Sequence, residues 1–382
     1  MDADHVSPIK FLDLAAQQAR MGPGVKTRLD AVLAHGQYIL GPEVAQLEAK
    51  LAAFCGAKHC VSVSSGTDAL QIAMMAEGIG LGDAVFLPAF TYTATAEVPL
   101  LLGATPVFVD VDPRTFQIDL NSLRARIADV ERAGALKSRA IIGVDLFGQP
   151  ADWPAIQEIA EAKGLFTLDD CAQSFGAALG NKKLGTAADA TATSFFPSKP
   201  LGAYGDGGAL FTESDERAAL YRSLRTHGEG TTRYEVLRIG MNGRLDTMQA
   251  AVLLAKLEVF AWEIARREEI AGIYESVLRD VVDVPARVPG GQSAWAVYSV
   301  LFANAGQRDA AQAALKGAGI PTAIYYPRAL HQQPAYAGCH DGVSLPVAEG
   351  LGGKILALPI HPDLTDAQVR FVAETLLHAV RG

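Results

Sequence analysis

Residues 191–210 read TATSFFPSKPLGAYGDGGAL and place one lysine, Lys199, between an aromatic pair (Phe195, Phe196) and four glycines, Gly202, Gly205, Gly207 and Gly208. Apolar surroundings disfavour the charged form of an amine, and the neutral amine is the form that attacks a carbonyl. The glycines let the backbone turn tightly and come close to a ligand. The same letters also describe a strand that ends in a surface lysine and a loop, so this stretch alone leaves both readings open. Two further segments carry chemistry. SSGTDA at 64–69 sets small residues directly before a helical run. The free N–H groups of such a start suit a phosphate, or belong to an ordinary N-cap. LDDCAQSFG at 168–176 ends an apolar run with two acids, Asp169 and Asp170, which are costly to bury without partners. A carboxylate there suits a pyridinium nitrogen; capping a strand-to-loop turn is the plainer role.

The elements that must position these groups follow from periodicity. Helices are expected over Ala15–Ala34, Pro42–Phe54, Ala69–Glu77, Thr91–Leu102, Leu123–Glu131 and Ala151–Lys163. Strands are expected over His59–Ser64, Ala84–Leu87, Thr105–Val111, Ala140–Asp145 and Leu165–Asp169, and GNKK at 180–183 reads as a hairpin turn. Strands alternating with helices imply a largely parallel sheet covered on both faces, an α/β fold. From about Leu245 one long helical stretch is expected, followed by a strand over Ala294–Phe302 and helices over Gln307–Ala318 and Thr365–Val380. The division is a large domain over 1–260 and a smaller α+β domain over 261–382. All three chemical segments then fall at the carboxyl ends of strands, where open α/β sheets bind ligands.

Composition narrows the classes. Of the 382 residues 49% are hydrophobic and 20% charged, as in a soluble globular protein. A net charge of −9 disfavours non-specific nucleic-acid binding, which needs a basic face. No signal peptide or membrane span is expected, since the apolar runs are broken by Gly, Pro and Asp. Four scattered cysteines without a CxxC fit a reducing cytoplasm, and no metal site is indicated.

In order, SGTDAL, PAFTYTAT, GATPVFVDVDP, LFGQPADW, DDCAQSFGA, SFFPSKPLGAYGDGGA and NGRLDTMQAA resemble the DegT/DnrJ/StrS family of nucleotide-sugar aminotransferases, as does IPTAIYYPRALHQQPAY near the C-terminus. The resemblance spans nearly the whole chain. It implies a fold-type I (aspartate aminotransferase-like) enzyme dependent on pyridoxal 5′-phosphate (PLP), with L-glutamate as amino donor. Lys199 would be its Schiff-base and proton-transfer lysine, and Asp170 the partner of the pyridine nitrogen. Asp169 would point to the other side of its strand. Gln173 would lie near the cofactor phenolate, and Tyr92 would stack on the ring. Gly66, Thr67 and Ser194 would hold the phosphate, joined by Asn242 from a second subunit, so that a homodimer with interfacial sites is implied. HGQYILGPEV and SFFPSKPLG are similar to the branch acting on UDP-linked 3-oxo-N-acetylglucosaminuronate, en route to bacterial surface polysaccharide (O-antigen). In that branch Tyr326 and Arg233 would meet the substrate, Arg233 through a uronate carboxylate; a solvated Arg on a loop is the alternative. One departure stands out: relatives often carry His-Tyr-Pro where this chain has Tyr325, Tyr326 and Pro327. His227 and His331 read as structural or rim residues. Acceptors linked to dTDP or GDP, and a non-catalytic sensor on the same fold, remain the alternatives.

Overall fold

A computed structural model describes residues 8–232 and 234–381. Seven strands build the main sheet: β1 (His59–Val63), β2 (Asp83–Pro88), β3 (Thr105–Val109), β4 (Lys137–Val144), β5 (Phe166–Asp170), β8 (Ala190–Ser194) and β9 (Gly208–Thr212). Between β5 and β8 runs a short hairpin, β6 (Ala178–Leu179) and β7 (Lys182–Lys183), which turns at the expected GNKK. The sheet order is β1-β9-β8-β5-β4-β2-β3. Its pairs are parallel from β3 through β8, whereas β9 runs antiparallel to both β8 and β1. Strands β2, β5 and β9 are buried almost throughout, as a sheet covered on both faces requires.

The covering helices begin with α1 (Leu14–His35), α2 (Pro42–Cys55), α3 (Gly66–Ala76), α4 (Ala94–Leu101), α5 (Leu120–Ala133), α6 (Trp153–Lys163), α7 (Asp215–Leu224) and α8 (Thr247–Leu257). One apolar cluster gathers α3 and α4 against one face, with Ile72, Val85 and Leu168 at its centre. A second gathers α2, α5, α6 and α8 against the other, around Leu47, Phe86 and Trp153. The named residues of both clusters are fully buried, and each such Leu or Ile contributes roughly 1.5–3 kcal/mol.

The C-terminal part adds α9 (Phe260–Leu278), β10 (Gly291–Gln292), β11 (Tyr298–Leu301), α10 (Ala305–Gly317), α11 (Pro346–Leu351), β12 (Ile355–Leu358) and α12 (Asp366–Arg381). Strands β11 and β12 pair antiparallel over a third cluster that includes Tyr274, Leu315 and Val372. β10 instead joins the β6–β7 hairpin.

Two expectations are corrected here. The long helix from Leu245 is two helices. Glu258 and Val259 turn their N–H groups to Ala255 and Lys256, three residues back, which tightens the last turn of α8 and ends it. The new axis seats the Phe260 ring against Gly176, where an added Cβ would meet it at 2.8 Å. The strand expected over Ala294–Phe302 pairs only from Tyr298. Its first part bonds instead to a loop of the large sheet, Ala294 to the Gly148 carbonyl and Val297 to that of Phe147.

Candidate active site

At the carboxyl ends of β5 and β8 lies a cavity of about 420 Å³. Lys199 enters it from the loop between β8 and β9. That loop is closed by Phe195 N–H on the Gly207 carbonyl (2.7 Å) and Ala203 N–H on the Phe195 carbonyl (2.7 Å). Gly202 is obligatory for the closure, since a Cβ there would stand 2.5 Å from the Pro197 carbonyl oxygen. Asp170 enters as the last residue of β5. Its Oδ2 accepts from Thr95 Oγ (2.9 Å) and its Oδ1 from Ala172 N–H (3.3 Å).

Burial acts on both groups in opposite senses. It raises the Asp170 pKa, an effect offset by the Thr95 hydrogen bond and by the Lys199 charge. Burial lowers the Lys199 pKa, and the Asp170 charge opposes it. A basic amine of reduced proton affinity therefore shares a cavity with a carboxylate of increased proton affinity.

Helix α3 presents its N-terminus to the same space. Ser65 is its N-cap, with Oγ accepting from Asp68 N–H at 3.0 Å, so the N-cap reading holds for this segment. Gly66, Thr67 and Ser194 line the cavity together. The fit is close: a Cβ on Gly66 would meet Ser194 Cβ at 2.7 Å, and one on Gly208 would meet the Ser65 carbonyl at 2.5 Å. Glycine at both positions lets helix and strand ends close into a cradle for an anion.

Gln173 is held by its carbonyl oxygen, which accepts from Phe147 N–H at 2.6 Å. Its amide nitrogen faces the cavity and donates to the Tyr326 hydroxyl at 3.3 Å. Tyr92 stands 55% exposed at the cavity, its ring centroid 6.4 Å from that of Tyr326. Burial raises the Tyr326 hydroxyl far above its ordinary pKa. Tyr325 also lines the cavity and meets Phe11 edge-on at 6.1 Å. A phosphorylated pyridine aldehyde suits this donor set: helix N–H groups for the phosphate, a buried carboxylate for a protonated ring nitrogen, an amide for the ring oxygen, and an amine for the carbonyl.

The expected residues Gly66, Thr67, Tyr92, Asp170, Gln173, Ser194, Lys199 and Tyr326 are thus gathered in one cavity. Asn242 is not among its lining; it is exposed and pairs by backbone with Thr226. Arg233 lies outside the described residues. His331 is buried away from the cavity on Glu349 (3.3 Å), and His227 has a left-handed backbone (φ 58°) with its N–H on the Met241 carbonyl. Sequence reasoning missed Thr95, Phe147 and Phe11. Thr95 is the third threonine of the TYTAT run, one turn after Tyr92, and nothing local in the sequence marks its partner.

Sheet, cavity and residue types together define a class, the fold-type I aminotransferases that use PLP. The chain belongs to the DegT/DnrJ/EryC1/StrS aminotransferase family, whose sequence profile matches residues 21–377. It is 47% identical over 369 residues to a UDP-2-acetamido-2-deoxy-3-oxo-D-glucuronate aminotransferase of Pseudomonas aeruginosa, covering 96% of this chain and 99% of the relative. A pleiotropic regulatory protein of Geobacillus stearothermophilus is 41% identical, covering 98% and 99%. Among solved structures, a DegT/DnrJ/EryC1/StrS aminotransferase from Brucella abortus superposes with a TM-score of 0.95 at 46% identity, over 98% of this chain and 100% of that one. DesV of S. venezuelae, solved with a ketimine intermediate, gives 0.93 at 35% identity, over 99% and 100%.

Proposed function

We propose that this chain transfers the amino group of L-glutamate to the keto carbon of a nucleotide-linked sugar, with UDP-2-acetamido-2-deoxy-3-oxo-glucuronate as its preferred acceptor. The observation that carries the chemistry is the placement of Lys199 and Asp170 in one cavity beside the α3 N-terminus. The acceptor rests on the 47% identity to the Pseudomonas enzyme over nearly the full length.

When bound, PLP supplies an electron sink for the carbon next to the transferred nitrogen. The protein supplies the rest. Lys199 Nζ would hold the cofactor carbonyl and, as an amine, would move a proton at the donor Cα; burial lowers its pKa, which favours the neutral form that accepts a proton. The Asp170 carboxylate, steadied by Thr95 and Ala172, would keep the pyridine nitrogen protonated. Gln173 Nε2 would donate to the ring oxygen, and Tyr92 would pack on the ring face, worth on the order of 1 kcal/mol beyond its buried area. The Gly66 and Thr67 N–H groups and the Ser194 hydroxyl would hold the phosphate. The same residues would serve the second half-reaction, with the sugar in the donor's place.

The working unit in this reading is a homodimer with active sites at the interface. Asn242, exposed and away from its own cavity, reaches the phosphate of the partner's site. Arg233 pairs with the uronate carboxylate, a planar task that suits a guanidinium. The large domain, 1–260, carries the cofactor, and the smaller one, 261–382, supplies Tyr325 and Tyr326 to the sugar side. The enzyme acts in the cytoplasm, in the supply of amino sugars for bacterial surface polysaccharide. Among the described residues no helix is long and apolar enough to cross a membrane.

A regulatory relative on the same fold keeps a sensor role in view. A pure binder has no use for an electron sink, so retention of Lys199, Asp170, Gln173 and Tyr92 favours the enzyme. The test is direct. Protein loaded with PLP should absorb visible light, lose that band on adding glutamate, and regain it with a UDP-3-oxo-uronate. If the band does not respond to glutamate, the chain is no transaminase. Equal turnover of dTDP- or GDP-linked ketohexoses, or of the neutral analogue of the uronate, would remove the proposed acceptor.

A further inference from the structure

Behind the cavity lies a second group of acids that the transamination does not use. Asp145 follows the last residue of β4, and Asp169 precedes Asp170 on β5. Both are fully buried, and their carboxyl oxygens lie within 4.8 Å of one another and of Cys171 Sγ. The two carboxyls differ sharply in their partners. Asp145 Oδ1 accepts from Ala151 N–H (2.7 Å) and Trp153 Nε1 (3.1 Å), and its Oδ2 from Ser174 Oγ (2.9 Å). Among the described residues, Asp169 accepts only from Thr191 Oγ, at 3.2 Å, and its Oδ1 has no donor aimed at it.

Among the described residues no cationic side chain pairs with either acid, and the charged or titratable groups that face Asp169 are Asp145, Asp170 and, one residue further on, Cys171. Two carboxylates this close, with no water-exposed surface and no counter-charge, cannot both stay ionised. Three donors mark Asp145 as the anion. The orphan oxygen of Asp169 is then the natural seat of a proton directed at Asp145.

Asp145 also ties together the parts that carry the site. Its N–H bonds the Asp170 carbonyl at 3.2 Å, and its carboxylate grips the loop after β4 at Ala151 and the loop after β5 at Ser174. Phe147, in the first of these loops, fixes the side chain of Gln173, in the second. We propose that Asp145 and Asp169 share one proton as a singly charged pair, and that Asp145 is through this pair a positioning residue for Gln173 and Asp170.

The proposal rests on the reading that Asp170 and Gln173 hold PLP, and its test has an arm that does not. Infrared difference spectra of wild type minus Asp169→Asn, in apo and loaded protein at about pH 8, should show the C=O stretch of a protonated carboxylic acid, although an ordinary Asp (pKa about 3.9) is ionised there. Absence of that band overturns the shared proton whatever the cofactor does. The second arm measures PLP dissociation constant and the pH midpoint of the visible band. Asp169→Asn supplies an N–H in place of the proton and should hold the dissociation constant within about 3-fold. Asp145→Asn exchanges an acceptor for a donor facing other donors and should weaken PLP about 10-fold or more and displace the midpoint. Ser174→Ala removes a single donor and should do so in smaller measure, which keeps the test open if Asp145→Asn does not fold. If the Asp145 and Ser174 variants that fold leave both readouts at wild-type values, or if Asp169→Asn is as damaging as Asp145→Asn, the positioning role falls.

Discussion

Thr95→Val isolates one link between fold and chemistry. The Thr95 hydroxyl donates to Asp170 Oδ2 at 2.9 Å in a fully enclosed setting, and valine keeps the shape while removing the donor. A hydrogen bond to a charged acceptor contributes about 1.5–3 kcal/mol. Burial pushes the Asp170 carboxyl toward its protonated form, and Thr95 is the first of the groups that oppose it. With PLP bound the carboxylate form is required, so losing this donor weighs more on the bound state than on the free one. At about 1.4 kcal/mol per tenfold, the full loss corresponds to about 10–100-fold, and PLP should bind more weakly by up to that factor. The sign in pH follows. Removing a stabiliser of the carboxylate raises the Asp170 pKa further, so the acidic limb of both PLP binding and turnover should move to higher pH. Titration of apo-protein with PLP, followed by the visible band from acid to neutral pH, measures both effects. Thr95→Ser, which restores the hydroxyl, should return to within about 3-fold of wild type. Unchanged PLP affinity and an unmoved acidic limb in Thr95→Val would refute the role given to Asp170 ionisation.

Lys199→Ala should bind PLP without the visible band of the wild type and show no turnover, checked by absorption and a coupled glutamate assay. Gly66→Ala places a methyl 2.7 Å from Ser194 Cβ, so helix start and strand end must part; PLP affinity should fall about 10-fold or more, read by the same titration, while α3 itself gains helix propensity. Lys256 provides a stability test away from the chemistry. It is buried and, among the described residues, its amine has no hydrogen-bond partner; the amine lies 4.5 Å from the Tyr204 ring centre, and burial lowers its pKa from 10.5 to about 8. Below about pH 8 folded and unfolded chains both carry the proton, and the burial penalty is fully present. Between about 8 and 10.5 only the unfolded chain does, so stability rises with pH, by about 3 kcal/mol in all. Lys256→Met should therefore be the more stable protein at pH 7 by about 1–3 kcal/mol, with an advantage that shrinks above pH 8; chemical denaturation at pH 7 and 9 that shows a constant difference would count against it.

What could be read in the sequence follows the range of the interactions. Lys199 and Asp170 stand out because their residue types are unusual at the ends of apolar runs, and the resemblance of the ordered motifs to the aminotransferase family paired them. Helix starts and parallel strands were similarly local, and α1, α2 and α6 lie within two residues of expectation. Thr95 was not legible because its function is a contact made 75 residues away, across the sheet. Phe147 escaped for a different reason: its backbone N–H, not its side chain, holds Gln173, and a left-handed turn (φ 61°) directs it there. The break between α8 and α9 was hidden because the apolar spacing continues through it. The Phe175, Phe54 and Phe260 rings, packed with centroids 5.4–5.8 Å apart, show what the change of axis achieves.

The lysine stretch owes its chemistry to this distant scaffolding. Taken alone, an amine flanked by Phe195 and Gly202 is merely less basic. Opposite Asp170 it becomes half of an unfinished electrostatic arrangement, in which burial raises the carboxyl pKa and lowers that of the amine, while each charge restrains the other's shift. A ligand that brings a protonated ring nitrogen to the acid and a carbonyl to the amine relieves both at once. Its phosphate is then set beside Gly66, whose lack of a side chain admits Ser194 to the same cradle. The antiparallel turn of β9 completes the geometry, because it brings Gly208 back against Ser65 and so fixes the loop that carries Lys199 to the start of α3.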